Sequence, residues 1–238
     1  MILPHCIRAP LNNVRRALCE ATGNGKYSRP SLHELDRKLE RYLDFDRGFF
    51  VEAGANDGFE QSNTYYFERI RRWTGVLIEP VPWLASKCRL RRPSSIVFEA
   101  ALVPFGYPQE YISLDYSNLT SSVHGAFEDE EKRKKHQEHG LAVQPQVEAA
   151  SIEVRARSLQ SLLDEAHAPH DFDLLSLDVE GYEAMALAGL DFSIYSPRYL
   201  LIEVRDHAAI RAGLGGYYDE IEILASPGSY QDVLYARR

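Results

Sequence analysis

The chain has 238 residues, 45% apolar and 26% charged, which suits one large folded domain and excludes a disordered chain. Its 35 acids against 27 bases give a net charge of −8, the wrong sign for a protein held to nucleic acid by phosphate contacts. A small or uncharged partner is expected instead. Three cysteines, Cys6, Cys19 and Cys88, form no CxxC pair and no even framework, so a reducing compartment without structural zinc is expected. Pro4, His5, Arg8, Pro10, Arg15 and Arg16 interrupt any leader-like stretch, and no apolar run approaches 18 residues. These features predict a cytoplasmic protein with no membrane span. Asn118-Leu119-Thr120 fits a glycosylation sequon, a triplet common by chance.

In chain order, residues 1–47 read as an N-terminal helical segment. The first 30 are mixed in character and break at Gly23-Asn24-Gly25. From Ser31, "SLHELDRKLERYL" places Leu32, Leu35, Leu39, Tyr42 and Leu43 on one helical face, with Ser31 and Glu34 spaced as a capping box. Residues 48–238 read as a single domain. "GFFVEAG", "TGVLIEP" and "SSIVFEAALV" are short apolar runs rich in β-branched and aromatic residues; "SNTYYFERIRRW" and residues 87–92 between them have helical spacing. Buried strands alternating with helices predict parallel βαβ units. At about 105–157 the pattern becomes an antiparallel, β-rich insertion. Its strands "QEYISLDYS" and "QVEAASIEVRARS" flank the charge run "EDEEKRKKHQEHG", a solvated helix, a loop or a lid. The βα rhythm resumes in "SLQSLLDEAH", "FDLLSLD", "EGYEAMALAGL" and "RYLLIEV". The tail holds two strand-like stretches joined by Ser226-Pro227-Gly228. The whole predicts a doubly wound α/β domain.

Ligands of such sheets bind beyond the carboxyl ends of the strands. The first such turn lies in "FFVEAGANDG", residues 49–58. A dinucleotide fingerprint needs glycine at 54, 56 and 59, and this chain has Gly54, Asn56 and Phe59. Glu52 at the strand end would repel a pyrophosphate and attract a cation. S-adenosylmethionine, with a sulfonium and an ammonium, suits an acid followed by small residues such as Gly54 and Gly58. Glu79, at the second strand's end, is placed to accept two ribose hydroxyls, and Glu99-Ala100-Ala101 at the third could frame an adenine edge. The bland alternative is a strand-end acid bonded to a helix N-terminus, beside ordinary turn glycines.

"LLSLDVEGYE" repeats the design: Asp178 at a strand end, Glu180 and Glu183 in the expected first turn of a helix. Asp178 could be only an N-cap. It could instead face the crevice beside Glu203, where two carboxylates could hold Mg²⁺ or Ca²⁺, or one could act as a base. His207, after the Glu203 strand, is a third candidate; His124, Tyr116, Ser121 and Ser122 are weaker ones.

"FVEAGANDGFEQSNTYYFE" with "GVLIEP", and "LLSLDVEGYEAMALAGLDF" with "YLLIE", resemble the FkbM family of S-adenosylmethionine-dependent methyltransferases. The resemblance covers roughly residues 48–205 and includes "VRARSLQSLL", where the family usually has an acid in place of Gln160. It implies a Rossmann-like class I methyltransferase fold, a mostly parallel seven-stranded sheet with an antiparallel C-terminal strand. It also implies O-methylation of a sugar or secondary-metabolite hydroxyl. The cofactor set would be Glu52, Gly54, Asn56, Asp57, Glu79, Pro80, Glu99 and Ala100, with Ser62 near the methionine end. The resemblance also supports Asp178 in the reaction; Glu180 and His207 stay catalytic candidates, and Asp178 with Glu203 metal candidates for Mg²⁺, from their places at the strand ends. The partner would be a small-molecule or carbohydrate acceptor; a homodimer is left open. The alternatives are an NAD(P)-dependent oxidoreductase, a non-catalytic methyltransferase-like binding protein, and metal-independent transfer.

Overall fold

The computed structural model describes residues 5–116, 122–123 and 150–238. The charge run, the sequon, Ser121 and His124 lie outside the described residues. The chain opens with helix α1 (His5–Ala21), two short 3₁₀ turns and helix α2 (Leu35–Glu40). Strand β1 (Phe49–Ala53), helix α3 (Tyr65–Arg69), strand β2 (Thr74–Ile78), helix α4 (Pro82–Arg91) and strand β3 (Ser95–Phe98) follow. Strands β1, β2 and β3 pair in parallel, as expected for βαβ units.

The insertion builds a smaller sheet from β4 (Ala101–Leu102), β5 (Tyr111–Tyr116), β6 (Ser122–Val123) and β7 (Ala150–Arg157). β5 and β7 are antiparallel, from Tyr111 opposite Arg155 to Tyr116 opposite Ala150. The main sheet then resumes through helix α5 (Leu159–Glu165), β8 (Leu174–Leu177), helix α6 (Glu183–Leu187), β9 (Tyr199–Val204), helix α7 (His207–Leu214), β10 (Tyr218–Ala225) and β11 (Gln231–Arg237). Its seven strands lie in the order β10-β11-β9-β8-β1-β2-β3, and β11 is antiparallel to both its neighbours. This is the doubly wound, Rossmann-like class I arrangement.

Both faces of the sheet are covered, which is why its strands read as continuous apolar runs. Val51, Val76, Leu175 and Leu200 pack on one side with Leu159 and Leu162 of α5 and Leu187 of α6. The alternate residues Phe50, Leu77, Leu174 and Leu201 pack on the other with Leu35 and Leu39 of α2, Leu43, Phe67 and Trp73. From β1 the chain runs outward through β2 and β3, then returns to β8 on β1's other side. The strand order therefore reverses between β1 and β8, and a cleft opens at their carboxyl ends.

Residues 5–21 form a helix with Val14 59% and Leu18 66% exposed. α1 docks through polar contacts instead: Arg16 lies 3.8 Å over the Phe59 ring, and Glu20 accepts from Ser28, Tyr65 and Arg69. The capping box does not form. His33 and Glu34 adopt left-handed backbone (φ 51° and 56°), α2 begins at Leu35, and the Ser31 hydroxyl bonds to Asn63. α4 starts earlier than its charged end suggested, with Pro82 at its first position, where a missing N–H costs nothing. Among the described residues no helix is long and apolar enough to cross a membrane.

Candidate functional site

The cleft is framed by the two turns that leave β1 and β8. They pack back to back: Gly54 has φ +82°, and a Cβ there would fall 1.8 Å from the backbone oxygen of Asp178. Glycine is therefore required both by conformation and by space. Gly54→Ala is expected to lower the melting temperature by several degrees and to weaken ligand binding in the cleft together, because one clash displaces both turns. Thermal melts with a ligand titration check this.

Asn56, also left-handed at φ 49°, turns its amide toward Glu79. The Glu79 carboxylate accepts from Asn56 N at 2.8 Å on one oxygen and from Val81 N at 3.0 Å on the other. Each oxygen keeps a lone pair for a further donor. Burial raises its pKa from the ordinary 4.5 to about 8, against the lowering pull of those two amides.

Glu52 is differently employed than expected. It accepts from Ser62 Oγ at 2.8 and 3.1 Å, Asn63 N at 2.7 Å and Thr64 Oγ1 at 2.6 Å, and Arg92 Nη1 stands 3.5 Å away. These donors fill a carboxylate's acceptor capacity. Arg92 also compensates the charge that was expected to draw a cationic ligand. Glu52 borders the cleft, and its contacts shape the 62–64 loop. That loop carries Asn63, whose Nδ2 donates to Ser176 Oγ across the cleft floor at 3.1 Å.

Six of the nine expected cofactor residues line the cleft: Glu52, Gly54, Asn56, Glu79, Pro80 and Ala100. Asp57, Ser62 and Glu99 do not. Asp57 accepts from the amides of Phe59 and Glu60 and pairs with Arg91, the Ser62 hydroxyl is turned to Glu52, and Glu99 pairs with Arg89 at the surface. Ile78, Val81, Leu84, Leu102 and Leu114 give the cleft an apolar wall.

On the β8 side, Asp178 is not an N-cap and Glu180 is not in a helical turn, because α6 begins only at Glu183. Glu180 and Gly181 are left-handed (φ 56° and 95°), and Glu183 Oε1 holds the turn by accepting from Val179 N and Gly181 N, both at 3.0 Å. Asp178 faces the cleft, while its Oδ1 is shut off from solvent and accepts no hydrogen bond. Burial pushes its carboxyl well above the usual range, and the negative neighbours Glu203, Glu180, Glu183 and Asp232 push it further.

Ligand oxygens of Asp178, Glu183 and Glu203 lie within 4.8 Å of one another, as a metal site would need. Arg205, however, places Nη2 2.5 Å from Glu203 Oε1 and 2.8 Å from Glu180 Oε2. His207 does not join Asp178. It begins α7, its Nε2 lies 2.8 Å from Gln231 Oε1, and it lines a separate depression with Arg211, Asp219 and Arg238. Sequence reasoning missed Asn63 and Tyr182, which line the cleft, and Arg205 behind it. Only Arg205 carried a legible signal, a cation two residues beyond the acid that ends "YLLIE".

The Methyltransferase FkbM domain family matches this chain over residues 52–224. No curated protein gives a match. Among solved structures, a methyltransferase FkbM from Methylobacillus flagellatus KT is similar at 13% identity and a TM-score of 0.47, covering 94% of this chain and 59% of that one. A TehB-like SAM-dependent methyltransferase from Corynebacterium glutamicum shares 10% identity at a TM-score of 0.42, covering 98% of this chain and all of the other. The 1,6-didemethyltoxoflavin-N1-methyltransferase of Burkholderia thailandensis shares 13% identity at 0.39, covering 100% of this chain and 91% of the other.

Proposed function

The chain belongs to the FkbM methyltransferase family, and from that premise we propose that it transfers a methyl group from S-adenosylmethionine to a hydroxyl oxygen of a small neutral acceptor, a sugar or a secondary metabolite. The observation that carries the reading is Glu79, a buried carboxylate presenting two half-used oxygens at the second strand's end. A ribose diol has the donor pair to match, and the apolar wall beyond it, including Ala100, suits an adenine. Asn63, which reaches Ser176 of β8, and Gln61 also line the cleft and would meet the methionine end.

The cofactor supplies an electrophilic methyl on a sulfonium, which needs no further activation. Asp178 has the remaining task. Burial and negative neighbours raise its carboxyl above the ordinary range, which makes the carboxylate a stronger base than an exposed one. It would take the acceptor's proton as the oxygen–methyl bond forms and the sulfur–methyl bond breaks. The cleft holds donor and acceptor side by side, and that orientation supplies much of the rate.

Titration with S-adenosylhomocysteine tests the cofactor. Tight binding is expected, weakened roughly a hundredfold or more in Glu79→Ala, since hydrogen bonds to a charged acceptor contribute about 1.5–3 kcal/mol each. The wild-type affinity should also rise with pH toward about 8, because the hydroxyls need the ionised carboxylate and burial holds its proton on below that point. Glu79→Gln should bind weakly and independently of pH. Absence of S-adenosylhomocysteine binding, or full binding by Glu79→Ala, would sink the cofactor assignment. The non-catalytic alternative predicts binding without methyl transfer to any hydroxyl acceptor.

A further inference from the structure

Four carboxylates, of Asp178, Glu180, Glu183 and Glu203, converge behind the cleft where the β8 turn meets the end of β9. Such a group needs a cation, and the expectation from sequence is a divalent metal on Asp178 and Glu203. The side chains present supply a different one. Arg205 leaves the end of β9 and folds back so that a single nitrogen, Nη2, bridges Glu203 of its own strand and Glu180 of the neighbouring turn. The guanidinium is largely buried and stands 5.6 Å from the ring of Tyr230.

A metal ion on Glu203 Oε1 would bind at about 2.0–2.6 Å. That oxygen already lies 2.5 Å from Nη2, an ion-pair contact without hydrogen-bond geometry, so the ion would sit against a fixed positive charge. Glu183, the third prospective ligand, spends Oε1 on the amides of Val179 and Gly181. We propose that Arg205 is the resident cation of this cluster, occupying the place of a metal ion, and that it is a positioning residue which ties Glu180 back and fixes the turn that presents Asp178.

The role assigned to Arg205 follows from the geometry of the turn. Glu180 holds a left-handed backbone that a non-glycine residue adopts only under constraint. Its constraints are the Glu183 carboxylate from below and Arg205 from the side. With Glu180 drawn onto Arg205, Asp178 is the carboxylate of this turn with an oxygen left unpartnered. The catalytic consequence depends on the reading of the cleft given above; the cation assignment does not.

Manganese alone is the probe, followed by electron paramagnetic resonance of the free ion and by calorimetry, on the full chain. Wild type is expected to show no saturable Mn²⁺ site. Arg205→Ala should gain one site at least tenfold tighter than any wild-type binding, and Arg205→Ala/Glu203→Gln should lose it again. Arg205→Lys keeps the charge and should stay free of Mn²⁺, a rescue that a merely structural role does not predict. S-adenosylhomocysteine affinity should hold within about threefold in every variant, which also reports folding. If Arg205→Ala does not fold, Arg205→Gln keeps the donor without the charge and should gain the same site. Saturable Mn²⁺ binding by wild type at the variant's affinity, or no gain in either variant, overturns the proposal. Failure of all forms to bind S-adenosylhomocysteine would instead overturn the cofactor reading and leave the Mn²⁺ result standing.

Discussion

Arg92→Ala is expected to destabilise the protein by about 3–5 kcal/mol, the range for breaking a buried ion pair on one side. For a chain of this length that lowers the melting temperature by roughly 6–20 °C. Arg92 is fully buried at the end of α4. Its Nε donates to Glu68 at 2.7 Å, Nη1 to Ser62 Oγ at 3.1 Å and to the carbonyl of Gly58 at 3.2 Å, and Nη2 to Thr64 Oγ1 at 2.8 Å. One side chain thus joins the first turn, the 62–64 loop and α3, and compensates two buried carboxylates, Glu52 and Glu68. Alanine would leave both without a cation in a dry site. Lysine should not rescue, because a single ammonium cannot reach these groups in their separate directions. Arg92→Met combined with Glu52→Gln and Glu68→Gln should recover part of the loss, since removing a whole buried ionic group is far cheaper than orphaning half of it. Differential scanning calorimetry of the series decides the matter. A loss under about 1 kcal/mol for Arg92→Ala would show the network to be incidental.

The same network explains what could be read from the sequence. The runs around Val51, Val76, Leu175 and Leu200 announce parallel strands because they are buried on both faces, and burial leaves a local record. Glu52, Asp178 and Glu203 could be placed at strand ends for the same reason. Their partners could not. Arg92 is 40 residues from Glu52, and nothing local says that the acid's charge is met there rather than by a ligand. The failed capping box has a similar origin. Ser31 and Glu34 have the right spacing, yet Ser31 pairs with Gln61 as an isolated bridge and bonds to Asn63. A tertiary contact overrode a local preference. His207 lies at the active edge in sequence, but Asp206 caps α7, and the helix turns the imidazole to Gln231. In each case the element or strand end was legible and the direction of the side chain was not.

Asp178→Asn should separate a base from a scaffold residue, because the two roles predict opposite signs. As the base, Asp178 takes the acceptor proton, and its loss should slow methyl transfer by about 10²–10⁴. This is read as S-adenosylhomocysteine release over a panel of sugar and secondary-metabolite hydroxyls. Asparagine keeps the shape and carries no charge, so S-adenosylhomocysteine affinity should change little. Stability should move the other way. The folded carboxyl has a raised pKa, so the folded state resists its ionisation. The stability contributed by the protonated form is complete below the ordinary carboxylate pKa of 3.8, and it is lost as the pH rises from there toward the raised value. Near neutral pH the unfolded chain's Asp178 is ionised, whereas burial and the negative neighbours Glu203, Glu180 and Glu183 resist that ionisation in the folded protein, a cost that asparagine removes. The variant should melt higher than wild type at neutral pH, and the difference should vanish in acid. Wild-type turnover should climb with pH through the raised carboxyl, and whatever residual rate the variant keeps should not. A variant that is slower and less stable at every pH would assign Asp178 to the scaffold of the turn. Slower, more stable and flat in pH is the signature of a carboxylate kept in an unfavourable place for its chemistry.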